Sequence, residues 1–127
     1  RLTEQLELSR HRFVTELLQS LRDGYRDETY DALIAGYCAQ GILGLDDLGA
    51  GKETPSEWSV EQMELIINSR YEKGPPLIVT TNLSPKQMMD KWGARIADRL
   101  YDRVTGKAQQ VFIPSDTPSY RTGRRSA

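Results

Sequence analysis

Apolar positions along this chain alternate between short unbroken runs and stripes at helical spacing. Residues 1–10 look helical but carry few apolar side chains. Phe13-Val14 reads either as a short strand or as the lead-in to a helix. In that helix Leu17, Leu18, Leu21 and Tyr25 recur at helical spacing, with Gly24 near a stop. Tyr30, Leu33, Ile34 and Tyr37 give a second short apolar face. Residues 41–46 form an apolar run ended by Asp46 and Asp47, the pattern of a buried strand. Gly49 to Pro55 is a loop. Ser59-Val60-Glu61-Gln62 has the form of a capping box, opening a helix with the stripe Val60, Met63, Ile67 and Tyr71. Gly74-Pro75-Pro76 ends that helix. Leu77 to Thr81 is a second buried-strand candidate and runs into Asn82. Ser84-Pro85-Lys86-Gln87 is another capping box, with Pro at the first helical position. Met88, Trp92, Ile96 and Leu100 then make one core-facing stripe that lasts to Gly106. Gln109 to Ile113 predicts a last strand, and Pro114 to Ala127 is a polar, partly basic tail.

Strands alternating with helices predict an α/β fold built on a parallel sheet. Three clear strands make a thin sheet for a complete domain, so further elements are expected. The 127 residues suit one domain and allow a core. The composition, 38% hydrophobic and 28% charged, is that of a soluble globular protein. No apolar run is long enough to span a membrane, and no signal peptide is evident, so the expected compartment is the cytoplasm. The single Cys38 excludes an internal disulfide framework and reads as a small buried side chain. The net charge of −1 hides an asymmetry. Residues 1–64 carry 6 Lys/Arg against 13 Asp/Glu, and residues 65–127 carry 11 against 5. The basic half suits phosphates, nucleic acid, an acidic neighbouring subunit or the acidic half of the same chain.

The candidate chemistry sits where the first buried strand ends. Ligands of open α/β sheets bind at the carboxyl ends of the strands. Two adjacent acids there need a cation beside them, and a Mg²⁺-nucleotide supplies it, the pattern of a Walker B strand. Hydrolysis of a nucleoside triphosphate needs a metal holder, a group that orients water, and cations for the developing charge. Asp46 is placed to hold Mg²⁺ through a water, and Asp47 to polarise the attacking water. Asn82 ends the neighbouring strand, where it either holds that water or the γ-phosphate, or caps a helix or turn before Ser84-Pro85. Arg95, Arg99 and Arg103 lie four apart and share a helix face. They either pair with Asp98 and Asp102 or send one guanidinium to a phosphate in an adjacent subunit. Arg121, after Ser119-Tyr120, is a further phosphate contact. Gly49-Ala50-Gly51-Lys52-Glu53-Thr54 imitates the end of a phosphate loop. Asp46 stands where the first Gly belongs, and Glu53 where a hydroxyl belongs, so the segment reads as a surface loop. His11 is the only histidine, which excludes a His-based metal site or triad within the chain. Trp58 and Trp92 read as core or partner contacts.

Several segments together resemble the DnaC/DnaI-type helicase loaders. They are Ile42-Leu43-Gly44-Leu45-Asp46-Asp47-Leu48-Gly49-Ala50, Ile66 to Glu72, Ile78-Val79-Thr80-Thr81-Asn82-Leu83-Ser84-Pro85, Gly93 to Leu100, and Ser119-Tyr120-Arg121. The resemblance covers roughly residues 13–125, in the family's order and spacing. It implies a P-loop NTPase of the AAA+ class that uses ATP and Mg²⁺. Such proteins assemble on a hexameric replicative helicase and help place it on single-stranded DNA in replication initiation. Carried over by motif, Asp46 is the Mg²⁺-associated Walker B acid and Asp47 the catalytic acid. Asn82 is sensor 1, Arg99 the arginine finger acting on a neighbouring subunit, with Arg95 sharing that role, and Arg121 is sensor 2. The implied layout is a helical segment at 1–12 outside the resemblance, a partial AAA+ core at 13–114, and a tail at 115–127. The family's Walker A loop, with its strand and helix, precedes the segment that starts near Phe13 and has no match here. Gly51 replaces the acidic residue expected after Gly49-Ala50, and Gly44 inside the strand suggests close backbone packing. Two other readings compete: a transposition helper ATPase of the IstB type, and a non-enzymatic module that keeps the fold without the nucleotide.

Overall fold

The computed structural model describes residues 10–49 and 54–102. In chain order they form β1 (Arg10–Phe13), α1 (Val14–Asp27), α2 (Tyr30–Ala39), β2 (Leu43–Asp46), α3 (Glu57–Lys73), β3 (Leu77–Val79), α4 (Pro85–Trp92) and α5 (Ala94–Leu100). The expected last strand at Gln109–Ile113, the tail with Arg121, residues 1–9 and most of the Gly49–Thr54 loop lie outside the described residues.

The strands make one parallel sheet in the order β1-β2-β3. Partners in a parallel register share a face, and here Leu43 sits opposite Leu77 and Leu45 opposite Val79. Leu43 and Leu45 are fully buried, and Leu77 and Val79 pack against the same core. Helices supply the rest of that core through Leu17, Leu21, Met63, Ile66, Met88 and Ile96. In α1 the buried set Val14, Leu17, Leu18 and Leu21 follows the helical period and makes one apolar stripe. The other sheet face carries His11, Phe13, Gly44 and Ile78, and Ile78 is 60% exposed there. Among the described residues, then, the sheet is sealed on one side. No helix among them is long and apolar enough to cross a membrane.

Phe13 closes a strand and Val14 opens a helix, so both readings of that dipeptide hold at once. Gly24 stands near the end of α1, as expected: the helix runs to Asp27 and closes at Glu28 in a left-handed conformation (φ 61°). Gly24 also lets α2 approach, since a Cβ there would lie 3.0 Å from the backbone of Tyr30. Three other expectations fail. Ser59 is not a cap. Ser56 caps α3 by accepting the Ser59 amide at 3.1 Å, and the buried Ser59 hydroxyl takes a hydrogen bond from Arg22 instead. The segment 77–81 is a three-residue strand at an edge of the described sheet rather than a buried one. Finally, the stripe from Met88 to Leu100 is split. Gly93, at φ 101° and ψ 163°, ends α4 and starts α5, so the break comes well before Gly106. The box at Ser84 is present as expected, with Ser84 and Gln87 each satisfying the other's backbone amide.

Candidate functional site

The carboxyl end of β2 carries the two acids in different states. Asp46 is buried (7% exposed), and both of its carboxylate oxygens have protein partners. His11 Nε2 lies 2.9 Å from Oδ2, and the Thr80 hydroxyl donates to Oδ1 at 2.5 Å. Asp47 is exposed and takes a left-handed backbone, φ 60°. A non-glycine residue holds that conformation where its surroundings fix it. Here its amide donates to Thr80 Oγ1 at 3.1 Å. Leu48 is tied to the same neighbouring segment and Gly49 to α4. The Leu48 amide donates to the Thr80 carbonyl (3.0 Å), Thr81 Oγ1 to the Leu48 carbonyl (2.6 Å), and Lys91 Nζ to the Gly49 carbonyl (2.9 Å). Gly49 is required at this turn. Its φ is 90°, and a Cβ would come within 2.3 Å of Leu83.

Asn82 lies exposed on the turn between β3 and α4. Ser84, not Asn82, caps α4, so the helix-cap alternative for Asn82 falls away. The structure therefore brings Asp46, Asp47 and the segment bearing Asn82 to one end of the sheet, joined through Thr80 and Thr81.

Arg95 and Arg99 belong to a second location. Both are on α5 and line a cleft of about 410 Å³ against α3, with Glu61, Glu64 and Asn68. Arg99 Nε donates to Asn68 Oδ1 at 2.9 Å, and its guanidinium carbon lies 4.9 Å from the centre of the Tyr71 ring. Tyr71 in turn donates its hydroxyl to the Asp102 carboxylate. Arg95 is mostly exposed, 3.9 Å from Glu64. The arginines thus find partners on α3 rather than on their own helix. Arg103 and Arg121 fall outside the described residues.

Three residues of consequence escaped the sequence reading. His11 touches Asp46 from the next strand, and its signal is the one-face spacing of His11 and Phe13 on β1. Thr80 joins the two acids, and the Thr80-Thr81 hydroxyl pair before Asn82 was its trace. Arg70 is 2% exposed and has no signal in sequence. It donates to the carbonyls of Tyr37 (2.6 Å), Gly41 (3.0 Å), Pro76 (2.8 Å) and Gln40, and burial lowers its pKa from the usual value. Cys38 is half-buried, and burial pushes its thiol pKa up, which fits a packing role.

Among the described residues no three His, Cys, Asp or Glu side chains cluster to bind a metal. Magnesium does not need such a cage. It binds through one or two carboxylates, with waters and substrate phosphates completing the shell. With both oxygens of Asp46 already engaged, a contact through water suits it, and exposed Asp47 leaves a carboxylate facing solvent. The residues present fit the metal side of a Mg²⁺-nucleotide site.

No family model matches the chain, and no curated protein matches it in sequence. Among solved structures, the crystal structure of the DnaC helicase loader matches with a TM-score of 0.64 and 23% identity. The chain has a DnaC-like fold. The match covers 73% of this chain and 56% of the DnaC structure, so the chain spans little more than half of that protein's resolved length. The DnaC-like fold accounts for the parallel α/β architecture, with the acids at the end of its central described strand.

Proposed function

We propose that the intact protein is a helicase-loader ATPase of the DnaC/DnaI type, acting in replication initiation. The observation that carries this reading is the acid pair Asp46-Asp47 at the carboxyl end of β2 in a DnaC-like fold. Asp46, held by His11 and Thr80, would keep Mg²⁺ in place through a water. The metal supplies charge neutralisation at the phosphates. Asp47, turned outward by its left-handed backbone, would orient the attacking water and take its proton. Asn82, on the turn after β3, would hold that water or the γ-phosphate.

Arg99, steadied by Asn68 and Tyr71, would meet the developing charge on the nucleotide of a neighbouring subunit. Arg95 at the rim of the same cleft would assist, and Arg121 would reach the nucleotide of its own subunit. The expected partners are a replicative DNA helicase, single-stranded DNA and further copies of the protein, in the cytoplasm.

The test is ATP turnover by the intact protein with helicase and single-stranded DNA. Asp47→Ala should abolish stimulated hydrolysis, and Arg99→Ala should lower it by about 10³-fold or more. Normal turnover in either variant would sink the assignment. Capture of a transposase instead of a helicase would favour an IstB-type helper.

A further inference from the structure

We propose, resting on the ATPase reading above for its functional half, that Thr80 is the positioning residue that locks the acid pair in its working geometry. One hydroxyl does two jobs. Thr80 Oγ1 donates its hydrogen to Asp46 Oδ1 at 2.5 Å and accepts the Asp47 amide at 3.1 Å. A hydroxyl has one hydrogen and two lone pairs, so the two bonds are compatible and each has a fixed direction. The first fixes the rotamer of the buried carboxylate. The second holds Asp47 at φ 60°, which turns its side chain away from Asp46 and into solvent.

The backbone of the same residue reinforces this. The Thr80 amide donates to the Leu45 carbonyl, and the Thr80 carbonyl accepts the Leu48 amide, each at 3.0 Å. Thr80 is thereby bonded on both sides of the acid pair. It also stands two residues before Asn82, so one short segment sets the spacing between the acids and that amide. Thr81 offers an internal comparison. Its hydroxyl donates to the Leu48 carbonyl and accepts the Leu83 amide, one step beyond the acids.

Valine keeps the shape of threonine and removes the hydroxyl. In the intact, nucleotide-free protein, Thr80→Val should speed hydrogen exchange of the Asp47 amide by about tenfold, the worth of one hydrogen bond. Thr80→Ser should leave that exchange at the parent value. In hydrolysis, Thr80→Val should lower kcat about a hundredfold and raise the Mg²⁺ concentration for half-maximal rate. The nucleotide KM should stay within about threefold of the parent, and Thr80→Ser should restore kcat. Thr80→Ala removes the hydroxyl without adding a methyl, and serves if valine disturbs the strand. Unchanged Asp47 exchange in a folded Thr80→Val or Thr80→Ala protein overturns the proposal. So does a loss confined to KM, or a loss that serine fails to rescue. If the parent hydrolyses no ATP, the ATPase reading falls, and the Asp47 exchange rate alone decides whether Thr80 sets the acid geometry.

Discussion

Arg70 shows how a single side chain can hold together segments that are far apart in the chain. Its guanidinium is buried with carbonyl oxygens as its hydrogen-bond acceptors, drawn from the end of α2, the turn into β2 and the residue before β3. Two of those carbonyls, Gln40 and Gly41, lie in irregular backbone between α2 and β2, and leaving a buried acceptor without its donor costs about 1–3 kcal/mol. The planar fork of arginine reaches several acceptors at once, which a lysine ammonium cannot match. Arg70→Ala should therefore destabilise the protein by about 3–5 kcal/mol, read by urea unfolding. Arg70→Lys should recover only part of that loss. Asp46 and Asp47 illustrate the same scale from the side of chemistry. Adjacent in sequence, they differ because one carboxylate is buried with two partners while the other is turned to solvent.

At the scale of elements, the join between α4 and α5 matters most. The apolar stripe Met88, Trp92, Ile96 and Leu100 runs through both helices, yet Gly93 interrupts it with a conformation open to glycine alone. The break sets the direction of α5 and hence where Arg95 and Arg99 meet α3. A Cβ at Gly93 would touch nothing within 4 Å, so the cost of Gly93→Ala is confined to the backbone. It should amount to about 1–3 kcal/mol of stability. If the alanine variant joins the two helices, Arg99 also leaves Asn68. Stimulated hydrolysis should then fall further than the lost stability explains, when both are measured on one preparation. The capping boxes teach a related point. The box at Ser84 formed because Pro85 fixes the first helical residue. The one at Ser59 did not, because Ser56 lies three residues earlier with an equally good hydroxyl and leaves room for another helical turn.

At the scale of the molecule, the two candidate locations are separate. The acids sit at one end of the sheet, while Arg95 and Arg99 line a cleft between α3 and α5. That separation suits a site shared between copies, with acids from one and arginine from the next. If charge contributes to contact between copies, salt should weaken it. Mixing Asp47→Asn protein with Arg99→Ala protein supplies a direct check. Each is expected to be inactive alone, and a shared site predicts that the mixture regains part of the parent ATPase rate. No recovery at any ratio would mean that both residues serve the same copy.

Much of the fold and part of the candidate site could be read from the chain because their causes are local. Apolar spacing within ten to twenty residues identified α1, α3 and β2, the Gly74-Pro75-Pro76 stop, and the acids at a strand end. Turn chemistry at Ser84-Pro85 placed α4. Tertiary structure decided what depends on contacts between distant segments. It made β3 an edge of the described sheet, set Gly24 against the start of α2, and gave the arginines partners on α3. It also brought His11 and Thr80, 35 and 34 residues away in sequence, onto Asp46. Periodicity records which face of an element is buried, but not what the fold will set against it. Hydrogen-bond partners across strands come from register and turn geometry, which local sequence does not specify.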